Sequence, residues 1–125
     1  MRLRREIPLS VRLWFGVLGA PLAWAIQHVA GFAVTLAACD AAGARWDVPV
    51  DGLTVAVTAV AALIALLAEL SAIGIYRATR DAGEEPPASR VHFLAVIGAT
   101  ISPLFLAIIL MSGLGSTFLA NCQQG

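Results

Sequence analysis

The chain has 125 residues, of which 59% are hydrophobic and only 13% charged, and its mean hydropathy is +0.85. An ordinary soluble domain is about 45–50% apolar and about 25% charged, so this composition argues against a soluble enzyme or a disordered chain. A formal net charge of +0 offers no electrostatic footprint for a nucleic acid. The length allows one domain. The expectation is an all-α integral membrane domain over residues 1–125, a three-helix bundle with spans at about 13–38, 53–76 and 91–120. Each stretch meets the roughly 20 apolar residues needed to cross about 30 Å of hydrocarbon, where backbone groups must bond within their own helix.

Arg2, Arg4, Arg5 and Arg12 precede or open the first span, and Trp14 follows at the height of an interface. Gly16-xxx-Ala20 and Gly19-xxx-Ala23 set small residues one turn apart, which permits close helix contact. Pro21 removes a helical hydrogen bond and predicts a kink. Gln27 and His28 are polar at depth, with His28 roughly 22 Å from the inner edge at 1.5 Å per residue. They read as an interhelical hydrogen-bonding pair. Haem ligation by His28 is the competing reading, but the other histidine, His92, lies roughly 20 Å lower. One chain therefore cannot supply a bis-histidine site. Cys39 closes the span. Leu36-Ala37-Ala38-Cys39 resembles the lipobox of bacterial lipoproteins, in which the first span would be a cleaved signal and Cys39 a lipidated terminus. An apolar stretch of roughly 26 residues is long against a signal core of about 7–15, which favours an uncleaved helix.

The loop 39–52 holds Arg45 and Trp46, with Asp47 or Asp51 as the expected N-cap of the second span and Pro49 near its first turn. The second span is rich in alanine, including Ala61-xxx-Ala65 and Ala68-xxx-Ala72. This pattern fits packing inside the bundle, or lateral association with a partner or a second copy. Glu69 lies roughly 10 Å from the inner end of the span. An ionisable residue at membrane depth is a functional candidate by default, here a proton-carrying or ion-binding carboxylate. The competing readings are a protonated acid bonded between helices, with the Thr100 and Ser102 hydroxyls or a carbonyl freed by Pro21 as partners, and a side chain snorkelling to the interface. Tyr76 marks the inner end of the span. The loop 77–90 carries Arg77, Arg80 and Arg90, is broken by Pro86-Pro87, and reads as a flexible connector. In the third span Pro103 predicts a second kink, and Gly113 and Gly115 place small residues near the outer end, before Asn121-Cys122.

Arginine placement predicts direction. All but Arg45 fall before the first span or between the second and third, which puts the N-terminus and the 77–90 loop in the cytoplasm and the C-terminus outside. The location is then the cell inner membrane, crossed several times. Cys39 and Cys122 share the outer, oxidising side, where a disulfide between them is allowed, with two free thiols as the alternative. A closed zinc site needs about four ligands. Cu(I) could use two thiolates, but nothing else in the chain adds to them, and no metal or cofactor is expected. No nucleotide loop, no Ser-His-Asp spacing and no His-xxx-His pair emerges, so no enzyme is expected.

Several strings carry a resemblance: Trp14-Phe-Gly-Val-Leu-Gly-Ala-Pro-Leu-Ala-Trp-Ala-Ile-Gln-His28, Ala38-Cys39, His92-Phe-Leu, Leu110-Met-Ser-Gly-Leu-Gly115 and Asn121-Cys122. Together they resemble small three-helix bacterial membrane proteins of unknown function, some of them encoded beside haem-copper terminal oxidase genes. The resemblance implies three spans and paired outer cysteines, and no catalytic residues. The leading expectation is a non-catalytic accessory or assembly subunit of a larger membrane complex, with a respiratory complex as the first candidate, whose partners are the lipid bilayer and another membrane chain or a second copy. The alternatives are a homo-oligomeric transporter of ions or small solutes using Glu69, and an outward-facing thiol-redox or copper-handling protein using Cys39 and Cys122.

Overall fold

The computed structural model describes residues 8–39, 49–81, 83 and 85–118. Within them the chain forms three helices, α1 (Leu9–Ala38), α2 (Val50–Thr79) and α3 (Ala88–Phe118). All three are long and apolar enough to cross a membrane, and each packs against the other two. The protein is thus an all-helical, multi-pass membrane protein. The helices are longer than the apolar stretches that announced them. At 1.5 Å per residue, 30 residues make about 45 Å, the thickness of a bilayer with its headgroups. Hydropathy sees only the hydrocarbon part of that path.

Several expectations change at the helix ends. The loop after α1 is shorter than 39–52, because α2 starts at Val50. Pro49 occupies the N-cap position without a side-chain cap, and Asp51 sits in the first turn instead, where a carboxylate suits the positive end of the helix dipole. The 77–90 connector loses both its ends to α2 and α3. Neither proline breaks its helix: Pro21 lies inside α1 and Pro103 inside α3, and each helix is assigned as one continuous element. Arg2, Arg4, Arg5, Arg45, Trp46, Asp47, Ala120 and Cys122 lie outside the described residues.

The core is built from small side chains. The buried positions of α2 are Ala61, Ala65, Ala68, Ala72 and Ile75, spaced alternately four and three apart. That average of about 3.5 residues keeps one seam turned to its partners over many turns. On α1 the seam is Leu13, Gly16, Gly19, Ala20, Ala23 and Gln27, and on α3 it is Ala95, Gly98, Ser102, Ile109 and Gly113. Large apolar side chains face outward, among them Leu22, Ile26, Leu63, Leu70 and Leu104. This inversion is the expected physics of a bundle in lipid. Acyl chains solvate leucine as well as another helix does, so close contact selects small residues at the seam.

The small residues zip the half of the bundle nearer the N-terminus of α1. A Cβ on Gly16 would lie 3.2 Å from the Ala72 Cβ, and one on Gly98 would meet the Gly16 carbonyl oxygen at 2.6 Å. All three backbones therefore converge at one level. The Ser102 hydroxyl donates to the same Gly16 carbonyl at 3.2 Å, and the Ser71 hydroxyl ties α2 to the Arg12 carbonyl at 3.0 Å. The pairings Gly16–Ala72 and Gln27–Thr58 make α1 and α2 antiparallel. Gly16–Gly98 and Gln27–Ile109 make α1 and α3 run the same way. Gly-xxx-Ala and Ala-xxx-Ala faces are therefore consumed inside the bundle rather than left for a partner.

Candidate functional site

In the half nearer the C-terminus of α1, the three helices meet through a side chain. Gln27 is 7% exposed and reaches from α1 to both neighbours. Its Nε2 donates to Thr58 Oγ1 on α2 at 3.0 Å and to the Ile109 carbonyl on α3 at 3.1 Å. Room for this bridge comes from Gly113, where a Cβ would collide with the Thr58 side chain. The amide's other end is unsatisfied: Gln27 Oε1 is buried with no hydrogen-bond partner. An orphaned buried acceptor costs about 1–3 kcal/mol, so this junction is polar beyond what helix packing requires.

Around the junction the bundle opens. A crevice of about 660 Å³ is lined by Gln27, His28, Thr35, Thr54, Thr58 and Ser116, with apolar residues and Cys39 completing its wall. His28 is exposed rather than interhelical, which corrects the paired reading of Gln27 and His28. Only Gln27 turns inward, and a step of one residue rotates its neighbour by about 100°. The His28 ring packs on Trp24 at 4.8 Å and 47°, and Trp24 in turn meets Phe105 edge-on at 5.6 Å. Trp24 Nε1 is a second buried group without a partner. His28 lies ten residues before the end of α1, about 15 Å along its axis. Its ring is therefore presented sideways at hydrocarbon depth.

Glu69 sits lower. It is partly buried on α2, and its Oε2 has no hydrogen-bond partner among the described residues. The hydroxyls expected to bond it are engaged elsewhere. Thr100 donates to Val96 O of its own helix at 2.8 Å, and Ser102 donates to Gly16 O. Intrahelical bonds of this kind are always within reach of a serine or threonine in a helix, one turn back, and sequence spacing does not exclude them. Where α2 ends and α3 begins, an aromatic cluster not anticipated from sequence joins the two helices. Tyr76 and His92 stack at 5.1 Å and 27°, and His92 Nδ1 lies 2.9 Å from Thr79 Oγ1.

Cys39 caps the C-terminus of α1, its backbone N–H bonded to Thr35 O at 2.9 Å. The described residues include no free cysteine, and Cys122 lies beyond them. Among the described residues no group of three or more His, Cys, Asp or Glu side chains is arranged to hold a metal. Comparisons with protein-family models, curated proteins and solved structures return no match, so the functional reading rests on the chain's own geometry.

Proposed function

We propose that this protein is a non-catalytic accessory or assembly subunit of a larger bacterial membrane complex, a respiratory one by preference. In this reading it sits in the inner membrane with its N-terminus in the cytoplasm and its C-terminus outside, and a Cys39–Cys122 disulfide staples α1 to the end of the chain. The observation that carries the proposal is the sideways-facing polar crevice around Gln27 and His28. Polar side chains at membrane depth nearly always face protein or a water-filled cavity. An exposed imidazole at that depth calls for a neighbouring helix that supplies its hydrogen-bond partner.

The test joins two measurements. The protein is purified from its native membranes in mild detergent, and a photo-crosslinking residue replaces His28 in one sample and Leu63 in another. The expected result is stoichiometric co-purification of respiratory subunits, with one of those same chains crosslinked from position 28 and not from position 63. Crosslinks to lipid alone from both positions would overturn the proposal.

Glu69 favours a second reading, a homo-oligomeric transporter, because its Oε2 is buried without a partner. That reading expects Glu69→Gln to abolish solute flux in proteoliposomes while leaving the oligomer intact. Unchanged flux removes it.

A further inference from the structure

The end of α2 and the start of α3 hold a second cavity, of about 480 Å³, within the usual range for small-ligand sites of about 300–1,000 Å³. Its height is informative. Helices of about 45 Å span the headgroup layers as well as the hydrocarbon, so Thr79–Asp81 and Ala88–His92 lie among lipid headgroups. The polar lining is Arg80, Asp81, Ser89 and His92, and the apolar lining is Phe93 and Val96. Phe93 is 63% exposed, and it and Val96 face outward along α3, where an acyl chain would run.

The polar set divides into donors and acceptors. Thr79 Oγ1 donates its one proton to Ile75 O at 2.8 Å. With that proton so placed, the hydroxyl oxygen accepts from His92 Nδ1–H at 2.9 Å in the matching tautomer. In a neutral imidazole that leaves Nε2 as a bare acceptor, and stacking on Tyr76 fixes the direction in which it points. Arg80 and the Ser89 hydroxyl are donors. Asp81 is a second acceptor. Neither Arg80 nor Asp81 has a side-chain partner among the described residues. One cation and one anion, side by side at the mouth of an amphiphilic cavity, match a ligand with the reverse arrangement.

We propose that this cavity binds the headgroup of a zwitterionic aminophospholipid, a phosphoethanolamine. Arg80 and Ser89 take the phosphate through charge-assisted hydrogen bonds. Asp81 and His92 Nε2 take the primary ammonium, and an acyl chain lies along Phe93 and Val96. The site is independent of the subunit reading above.

The experiment is native mass spectrometry of the full chain in mild detergent, titrated separately with phosphatidylethanolamine, phosphatidylcholine and phosphatidylglycerol. Phosphatidylethanolamine should bind about tenfold tighter than either, the loss expected when one charged hydrogen bond goes unmade. Arg80→Gln should weaken all three lipids. Asp81→Asn should weaken phosphatidylethanolamine alone and erase its preference over phosphatidylglycerol. Arg12→Gln, an exposed arginine on α1, should change nothing, and circular dichroism should show every variant helical. Equal binding of the three lipids, or a preference that survives Asp81→Asn, would overturn the proposal. So would an Arg12→Gln loss as large as that of Arg80→Gln, which would mean general surface charge. Displacement of the lipid by equimolar soluble phosphoethanolamine would mean a solute site and would overturn it as well.

Discussion

The two halves of the bundle, one nearer the N-terminus of α1 and one nearer its C-terminus, close by different means. In the first, Gly16, Ala72 and Gly98 bring three backbones together with almost nothing between them, and the hydroxyls of Ser102 and Ser71 bond carbonyls of α1 there. In the second a glutamine is interposed, its amide oxygen is left without a partner among the described residues, and a crevice remains. Backbone contact tolerates no insertion and leaves no vacancy. Side-chain bridging is adjustable and leaves polar groups over. The half that is closed holds the fold, and the half that is open has groups to offer something else.

The sharpest way to break this contrast is to add one methyl group to each half. Gly98→Ala drives a Cβ into the Gly16 carbonyl, and backbone cannot swing aside. A loss at the upper end of the usual overpacking penalty, about 3 kcal/mol, is expected in a denaturation titration in mixed micelles, with no single side-chain change that recovers it. Gly113→Ala collides instead with the Thr58 side chain. The expected loss is about 1–2 kcal/mol, and Thr58→Ala on the same chain should return most of it, a coupling that a double-mutant cycle measures. Equal rescue in both halves, or in neither, would erase the distinction.

Gln27→Met tests what the bridge contributes to folding. Interhelical hydrogen bonds in membranes average about 0.6 kcal/mol, and the substitution also removes the orphaned Oε1. Stability should therefore move by less than about 1 kcal/mol, while co-purification of a partner should be lost. A large drop in stability with the partner retained would make Gln27 a folding residue. The smallest effect is expected at Gly31 and Gly115, where an added Cβ meets nothing within 4 Å. Alanine there should be neutral or stabilise by up to about 0.5 kcal/mol through lower backbone entropy.

Height was legible in the sequence, and facing was not. Counting 1.5 Å per residue put Gln27 and His28 at depth, and both line the crevice that Thr58 also lines. Yet it is Gln27 that bonds Thr58, because a helix apolar on every side has no polar face from which to read its rotation. The better guide was size. Gly16, Gly19, Ala61, Ala65, Ala68 and Ala72 were marked by their spacing, and all are buried. Whether they turned toward the bundle or toward a partner was open, since both contacts obey the same rule. The hydroxyls expected to partner Glu69 bond carbonyls instead, Thr100 one turn back in its own helix and Ser102 across to Gly16 of α1. The Tyr76–His92–Thr79 cluster gave no advance sign, because it depends on the register between two helices.

The division of small residues within and large ones without has a consequence for how this sequence can change over generations. Lipid tails have no fixed shape, so Leu22, Ile26, Leu63 and Leu104 can exchange with any other apolar residue at little cost. The seam admits only glycine, alanine or serine over most of its length. Two lineages could therefore diverge across their whole outer surface while keeping one fold, and what identity survived would be concentrated in residues with the least side chain to recognise.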